Sequence, residues 1–213
     1  MPLAVDRHEL GPIGTNCYVV RADRDASEAI VVDPGDDAAA LRAELARAGI
    51  RCVAILVTHT HYDHIGAVAD LAEATDAPVY APDGEAFVLE RPEDVYGPIG
   101  IHLRGRRPDV RLQGDETLDV AGIHVETMLV PGHSPAHLAY VVDGAVFSGD
   151  VLFAGSVGRV DLPGGDWDTL LASIRSLAER LPPETVVHPG HGPATTIGDE
   201  LAHNPFLAEL RAR

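Results

Sequence analysis

Val53-Ala54-Ile55-Leu56-Val57-Thr58-His59-Thr60-His61-Tyr62-Asp63-His64 carries an apolar run straight into a cluster of metal-ligand side chains. Val53 to Val57 reads as a buried β-strand. Past its end, alternation puts His59, His61 and Asp63 on one side of the chain, while His64 enters a following helix. Four ligand-type groups thus meet at one rim. A scattered histidine is an ordinary surface or core residue, but three of the 11 histidines with an aspartate inside six positions read as a metal site. Imidazole and carboxylate without thiolate suit zinc, manganese or iron, and a catalytic ion needs such ligands plus an open position for water. Three further pieces sit where apolar β-type runs meet glycine turns: Pro131-Gly132-His133-Ser134, Ser148-Gly149-Asp150 and His188-Pro189-Gly190-His191-Gly192. Each supplies one more ligand type at a strand end, where layered α/β proteins keep their sites. The seven ligands exceed one tetrahedral ion and suit two ions that share a bridging group.

Working outward, β-type runs recur at Tyr18 to Val20, Ala29 to Val32, Val79-Tyr80, Ile123 to Leu129, Tyr140 to Val142, Val146 to Ser148 and Thr185 to Val187. Helical patterns lie between several of them, so the order is mixed α and β. Asp36 caps a helix carrying Leu41, Leu45 and Ala48 and stopped by Gly49. Trp167, Leu170, Leu171, Ile174, Leu177 and Leu181 recur at helical spacing after the cap Asp166, until Pro182-Pro183 ends the run; that stripe reads as core. Asp143-Gly144 is a tight hairpin turn. Residues 91–114 break the pattern with three prolines and four glycines, as a surface loop or insertion able to act as a lid. Arg104, Arg106, Arg107 and Arg111 fall in it, either as a solvated loop or as a clamp on a carboxylate-bearing substrate.

The chain of 213 residues is 46% apolar and 23% charged, the composition of one globular domain spanning 1–213. Its 16 basic residues face 33 acidic ones, a net charge of −17 that works against gripping nucleic acid or an anionic membrane. All 16 cations are arginines, which removes a phosphate-binding P-loop lysine, a pyridoxal Schiff base and any lysine general base. Cys17 and Cys52 fit neither a metal pair nor a disulfide framework, and the N-terminus has no basic-then-apolar leader. The expectation is a cytoplasmic protein with reduced thiols.

The set His59-Thr60-His61-Tyr62-Asp63-His64, His133, Asp150 and His191 resembles the metallo-β-lactamase fold superfamily over nearly the whole chain. The resemblance implies a four-layered αββα sandwich with two divalent ions at one edge, most simply zinc, with iron or manganese as alternatives. It implies that His59, His61 and His133 hold one ion, that Asp63, His64 and His191 hold the other, and that Asp150 bridges. Val31-Val32-Asp33-Pro34-Gly35 is similar to the superfamily's early strand-end motif, which makes Asp33 a support behind the ligands; His137 and His188 are further candidates for that role. An aspartate at Asp150, where antibiotic-hydrolysing members carry cysteine or another residue, disfavours antibiotic hydrolysis.

Gly155-Ser156-Val157-Gly158-Arg159-Val160-Asp161-Leu162-Pro163-Gly164-Gly165-Asp166, Gly190-His191-Gly192-Pro193 and Asn204-Pro205-Phe206-Leu207 resemble the short glyoxalase II-like hydrolases. Glyoxalase II cleaves the thioester of an S-2-hydroxyacylglutathione, so the resemblance implies hydrolysis of such small-molecule thioesters by a hydroxide held between the ions and oriented by Asp63. Glyoxalase II proper carries a further C-terminal helical domain that helps bind glutathione, whereas 20 residues follow Pro193 here. The expectation is loose recognition of the thiol carrier, resting on Arg104, Arg106 and Arg107 and on Arg159 in the Gly155 to Gly165 loop. The alternatives are hydrolysis of another ester, lactone or thioester, and a persulfide dioxygenase using one iron at His59, His133 and Asp150. The stretches Gly190-His191-Gly192 and Leu162-Pro163-Gly164-Gly165 do not resemble that dioxygenase family.

Overall fold

The computed structural model describes residues 3–97 and 103–211. Six strands, β1 (Ala4–Leu10), β2 (Thr15–Arg21), β3 (Glu28–Val32), β4 (Arg51–Leu56), β5 (Val79–Pro82) and β6 (Val110–Leu112), form the first sheet in chain order. The pairs β1–β2 and β2–β3 are antiparallel and the remaining neighbours are parallel. Parallel neighbours need a crossover, and two of those crossovers contain α1 (Ala38–Ala48), then α2 (Tyr62–Ile65) and α3 (Val68–Thr75). The short helices α4 (Ala86–Glu90) and α5 (Pro92–Tyr96) follow β5.

The second half builds β7 (Thr117–Val120), β8 (Ile123–Leu129), β9 (Leu138–Val142) and β10 (Ala145–Gly149), then a ribbon of β11 (Leu152–Phe153) and β12 (Ser156–Val157). After α6 (Trp167–Arg180) come β13 (Val186–Pro189), β14 (Thr195–Thr196), α7 (Ile197–His203) and α8 (Ala208–Arg211). The second sheet runs β14-β13-β10-β9-β8-β7.

Side-chain alternation sorts the apolar residues into three cores, and three cores require four layers. On β2 and β3, Cys17, Val19, Ala29 and Val31 face out against Leu41 and Leu45 of α1 and Val68 and Leu71 of α3. Their neighbours Tyr18, Val20, Ile30 and Val32 face in and meet Val125, Leu138, Tyr140 and Phe147 of the second sheet. Across that sheet, Met128, Ala139, Val146 and Val187 pack on Leu170, Ile174 and Leu177 of α6 and Ile197 of α7. The chain is an αββα sandwich in a single domain. Tyr140 is fully buried between the sheets and satisfies its hydroxyl on the Val57 carbonyl at 2.7 Å.

The α6 stripe is core, capped by Asp166, whose side chain accepts from the Thr169 amide at 2.8 Å. The cap of α1 is Asp37 rather than Asp36, and Gly49 ends that helix in the left-handed region at φ 67°. Cys17 and Cys52 are free and buried, and burial pushes both thiols up. Residues 91–114 are not all loop: α5 and β6 fall within them, and residues 98–102 lie outside the described residues. No helix among the described residues is long and apolar enough to cross a membrane.

Candidate metal centre

Five strand ends converge where the sheets meet at one edge. Asp33 follows β3, Thr58 to His64 follow β4, His133 follows β8, Asp150 follows β10 and His191 follows β13. Backbone bonds tie the edge together: the Leu138 amide donates to the Thr58 carbonyl at 2.8 Å, Gly190 to Gly149 at 2.8 Å and Asn16 to Gly190 at 2.7 Å. Glycines let the ligand loops close in. A Cβ on Gly190 would stand 2.1 Å from Asp150 Oδ1, and one on Gly158 would stand 1.8 Å from the Asp150 carbonyl.

The seven ligand-type residues come together. His61 Nδ1 lies 3.1 Å from His59 Nε2 and 2.8 Å from His133 Nε2. Beside this triad, His64 Nε2 stands 3.4 Å from both Asp63 Oδ2 and Asp150 Oδ1, and His191 Nε2 is 3.3 Å from Asp63 Oδ2 and 3.6 Å from Asp150 Oδ2. Asp150 Oδ2 also reaches within 3.5 Å of His133 Nε2, so this carboxylate lies between the two groups. The donor atoms of His59, His61 and His133 all fall within 4.8 Å of one another, as do those of Asp63, His64 and His191, and those of His59, His64 and Asp150.

The outer hydrogen bonds fix which ring nitrogens carry lone pairs. The His133 Nδ1–H donates to the Arg159 carbonyl at 2.7 Å, so Nε2 is bare. Thr58 Oγ1 spends its proton on Asp33 Oδ2 at 2.7 Å and so accepts from His59 Nδ1 at 3.1 Å, which leaves His59 Nε2 bare. Asp33 also accepts from His64 Nδ1 at 2.9 Å, which turns His64 Nε2 toward Asp63 and Asp150. Bare imidazole nitrogens thus converge on two carboxylates, and the buried atoms His64 Nε2 and Asp150 Oδ1 have no hydrogen-bond partner. A cation would satisfy such a set, and donors of this type and spacing suit borderline divalent ions.

The electrostatics divide the histidines. Burial holds His59 and His133 below the ordinary imidazole range and His61 down to about 4, so their lone pairs stay free. Burial works against charge on His64, yet Asp150 and Asp33 outweigh it and hold that ring well above the usual range, so without an ion Nε2 carries a proton that a bound cation would displace. Asp150 is buried but drawn down to about 2 by His64 and His133. Asp63, also partly buried, is held well below the carboxylate range by His191, His64 and Thr15. The carboxylates remain anionic, and the cluster attracts positive charge.

Asp33 stands behind Thr58 and His64, and His137 stands behind His59 and Asp150. The His137 ring stacks on His59 at 19° and its Nε2 accepts from the Asp150 amide at 3.1 Å. His188 requires correction: it stacks on Phe147 and meets Tyr18 edge-on between the sheets, because its register opposite Phe147 turns it inward. Two supports carry no sequence signal of their own. Thr15 donates from its hydroxyl to Asp63 Oδ2 at 2.7 Å. The buried Glu85 accepts from the amide and hydroxyl of Thr60 and from the Ala136 amide, each at 2.9 Å, and so ties the His59–His64 loop to the His133 loop.

A cleft of about 860 Å³ opens over the cluster, with His61, Asp63, His133, Asp150 and His191 in its floor. Ile13, Val95, Tyr96, Phe153, Leu162 and Pro163 form its walls, and Arg159 lies at the wall with its side chain paired to Asp161. Tyr96 binds α5 to the ligand loop, donating to the Thr60 carbonyl at 2.7 Å. The arginine clamp is overturned. Arg104 pairs with Asp70 and Glu73, Arg106 pairs with Asp109, Arg111 pairs with Asp83 and Glu90, and Arg107 is exposed. Parallel pairing is the reason: Asp109 hydrogen-bonds Val79 at the start of β5, so residues 104–109 approach the edge opposite the ligand loops. Arg104 and Arg106 border a separate cleft there.

Residues 10–191 match the Metallo-beta-lactamase superfamily. The chain is 38% identical to the "Probable metallo-hydrolase YqgX" of Bacillus subtilis, covering 94% of this chain and 96% of that protein. It is 32% identical to the "Hydroxyacylglutathione hydrolase GloC" of Haemophilus influenzae, covering 90% and 92%. Among solved structures it is similar to the BLEG-1 B3 metallo-beta-lactamase, with a TM-score of 0.90 and 41% identity over 96% of this chain and all of that one. It is also similar to TTHA1623 in a di-iron-bound form, with a TM-score of 0.85 and 42% identity over 95% of this chain and all of that one. With the αββα sandwich and the edge cluster of histidines and aspartates, the chain belongs to the metallo-beta-lactamase superfamily and carries the fold of its hydrolases.

Proposed function

We propose that the chain is a binuclear thioester hydrolase acting on S-2-hydroxyacyl thioesters. In this reading His59, His61 and His133 would hold one divalent ion and Asp63, His64 and His191 a second, with Asp150 shared between them. The observation that carries it is the convergence of bare imidazole nitrogens and two anionic carboxylates on the floor of an open cleft. Bound there, two divalent ions supply hydroxide at neutral pH and a Lewis acid for a developing oxyanion. The chain's own residues orient and hold protons. Asp63, fixed through Oδ2 by the Thr15 hydroxyl, lines the cleft and would orient the attacking water. Thr58 and Asp33 keep the protons of His59 and His64 on their outward nitrogens.

A thiolate leaves without a strong acid, which suits a site whose floor offers carboxylates held anionic. The hydroxyacylglutathione hydrolase relative supports the acyl class, and the di-iron neighbour supports iron beside zinc as the metal. Elemental analysis alongside release of thiol from S-lactoylglutathione tests the reading. We expect close to two equivalents of zinc, iron or manganese combined, and activity lost on chelation and regained on metal return. The similarity to a B3 metallo-beta-lactamase favours β-lactam hydrolysis as a second reading. A preparation that opens a cephalosporin but no thioester would establish that instead. One iron per chain with oxygen uptake on glutathione persulfide would replace both with the dioxygenase.

A further inference from the structure

We infer that the cleft takes thioesters whose thiol carrier is uncharged and apolar; this rests on the thioesterase reading above. A 2-hydroxyacyl group is small, so once its carbonyl reaches the ligand cluster the bulk of the substrate must lie along the walls. Those walls are Ile13, Val95, Tyr96, Phe153, Leu162 and Pro163. Ile13 and Val95 are 51% and 48% exposed, although exposed apolar side chains gain by being covered. They come from separate stretches of chain, the β1–β2 turn, α5, the β11–β12 ribbon and the loop before α6, yet they form one surface continuous with the floor.

Charge points the same way. A glutathione carrier brings two carboxylates and one ammonium, and a site built for it needs cations placed to pair with them. Apart from the histidines of the floor, Arg159 is the one cationic side chain among the described residues lining the cleft, and Asp161 occupies its fork with bonds of 2.7 and 2.8 Å. Arg104, Arg106 and Arg111 are paired away from the cleft, and the chain as a whole carries −17. An anionic carrier would enter against that field and leave its carboxylates without partners. An aryl or alkyl thiol would instead cover apolar surface already in place.

The test compares lactoyl thioesters of benzyl mercaptan and of glutathione on the metal-loaded protein. A kcat/KM for the benzyl thioester at least tenfold higher is expected; equal values or a preference for glutathione would overturn the inference. Ile13→Asp and Val95→Asp, neither of which removes a candidate metal ligand, should each reduce that preference at least fivefold, and an unchanged preference in both would remove the walls from the account. Binding keeps the inference separate from the reaction. Dibenzyl sulfide, which cannot be hydrolysed, should bind the metal-loaded protein at least tenfold more tightly than S-methylglutathione by calorimetry. If neither thioester is hydrolysed the thioesterase reading falls, and the two thioethers still decide: tighter binding of the uncharged one upholds an apolar cleft, and equal or reversed affinity rejects it.

Discussion

Replacing Asp33 with asparagine changes one atom in a buried site and should unseat a ligand 31 positions away. The Asp33 carboxylate accepts three hydrogen bonds, from the Thr58 amide at 2.7 Å, the Thr58 hydroxyl at 2.7 Å and His64 Nδ1 at 2.9 Å. An asparagine keeps the volume but offers one acceptor oxygen and one NH2 group. With the oxygen toward the Thr58 amide, the NH2 faces both the Thr58 hydroxyl and His64 Nδ1. The hydroxyl can rotate to accept, but the ring then relieves the clash by moving its proton to Nε2. That nitrogen stands 3.4 Å from Asp63 and Asp150, and a protonated nitrogen cannot ligate. Loss of such an outer partner costs roughly 10- to 100-fold in metal affinity, about 1.4 to 2.7 kcal/mol. Competition with a chromophoric chelator measures the weaker equivalent, and nitrogen-15 shifts of His64 in the zinc-loaded protein report which nitrogen carries its proton. Asp33→Asn protein that keeps both ions within threefold of the wild-type affinity, with Nδ1 still protonated, would refute this reasoning.

Glu85→Ala strands the Thr60 and Ala136 amides and the Thr60 hydroxyl, each of which costs about 1 to 3 kcal/mol when left unsatisfied. Allowing for partial relaxation, urea melts of the metal-free protein should show a loss of about 3 kcal/mol. Replacing Arg104, Arg106 and Arg107 together with alanine should leave KM for S-lactoylglutathione within twofold, since none of them lines the cleft; steady-state kinetics on the triple variant checks it. Burial brings His188 down to about 4, whereas the unfolded chain takes up that proton near 6.5. The unfolded state therefore binds more protons between those values, and stability is lost as pH falls from about 6.5 to about 4. His188→Phe, which keeps the stacking on Phe147, should melt increasingly above wild type across that window and not above pH 7.

What could be read from the sequence follows a physical line. Runs that are largely buried on both faces, such as Val53 to Val57 and Val146 to Ser148, announce themselves by composition alone, and their ends mark the candidate ligand loops. The edge strand β1 does not, because Asp6, Arg7 and Glu9 break its apolar alternation, as suits a strand with one unpaired side. The candidate ligands His59, His61, Asp63 and His64 are legible because imidazoles and aspartates packed within six residues are rare. The contacts of Thr15 and Glu85 are not, since these residues reach the site across 48 and 25 positions of chain and look like any other threonine or glutamate. The arginine cluster misled for the same reason: charge is visible in sequence, but the parallel register of β5 and β6 that turns it away is not.

The ligand set also joins the two halves of the molecule. His59, His61, Asp63 and His64 follow β4 in the first sheet, while His133, Asp150 and His191 follow β8, β10 and β13 in the second. In the proposed assignment each ion takes ligands from both sheets: His59 and His61 with His133, and Asp63 and His64 with His191. Unfolding separates the sheets and scatters these ligands, so ions bind the native state far better than the unfolded one. The resulting stabilisation is RT ln(1 + [L]/Kd), about 2.7 kcal/mol per site at 100 times Kd. For a chain of this length 1 kcal/mol moves Tm by about 2–4 °C, so one such site is worth roughly 5–10 °C. Removing metal should therefore lower Tm by at least 5 °C, and the loss should be restored by zinc in proportion to the logarithm of its free concentration. His191→Ala, which leaves the His59, His61 and His133 group intact, should abolish part of that increment and keep the rest. A Tm that ignores both chelator and added metal would mean that the cluster holds no ion across the sheets, and the binuclear assignment would fall with it.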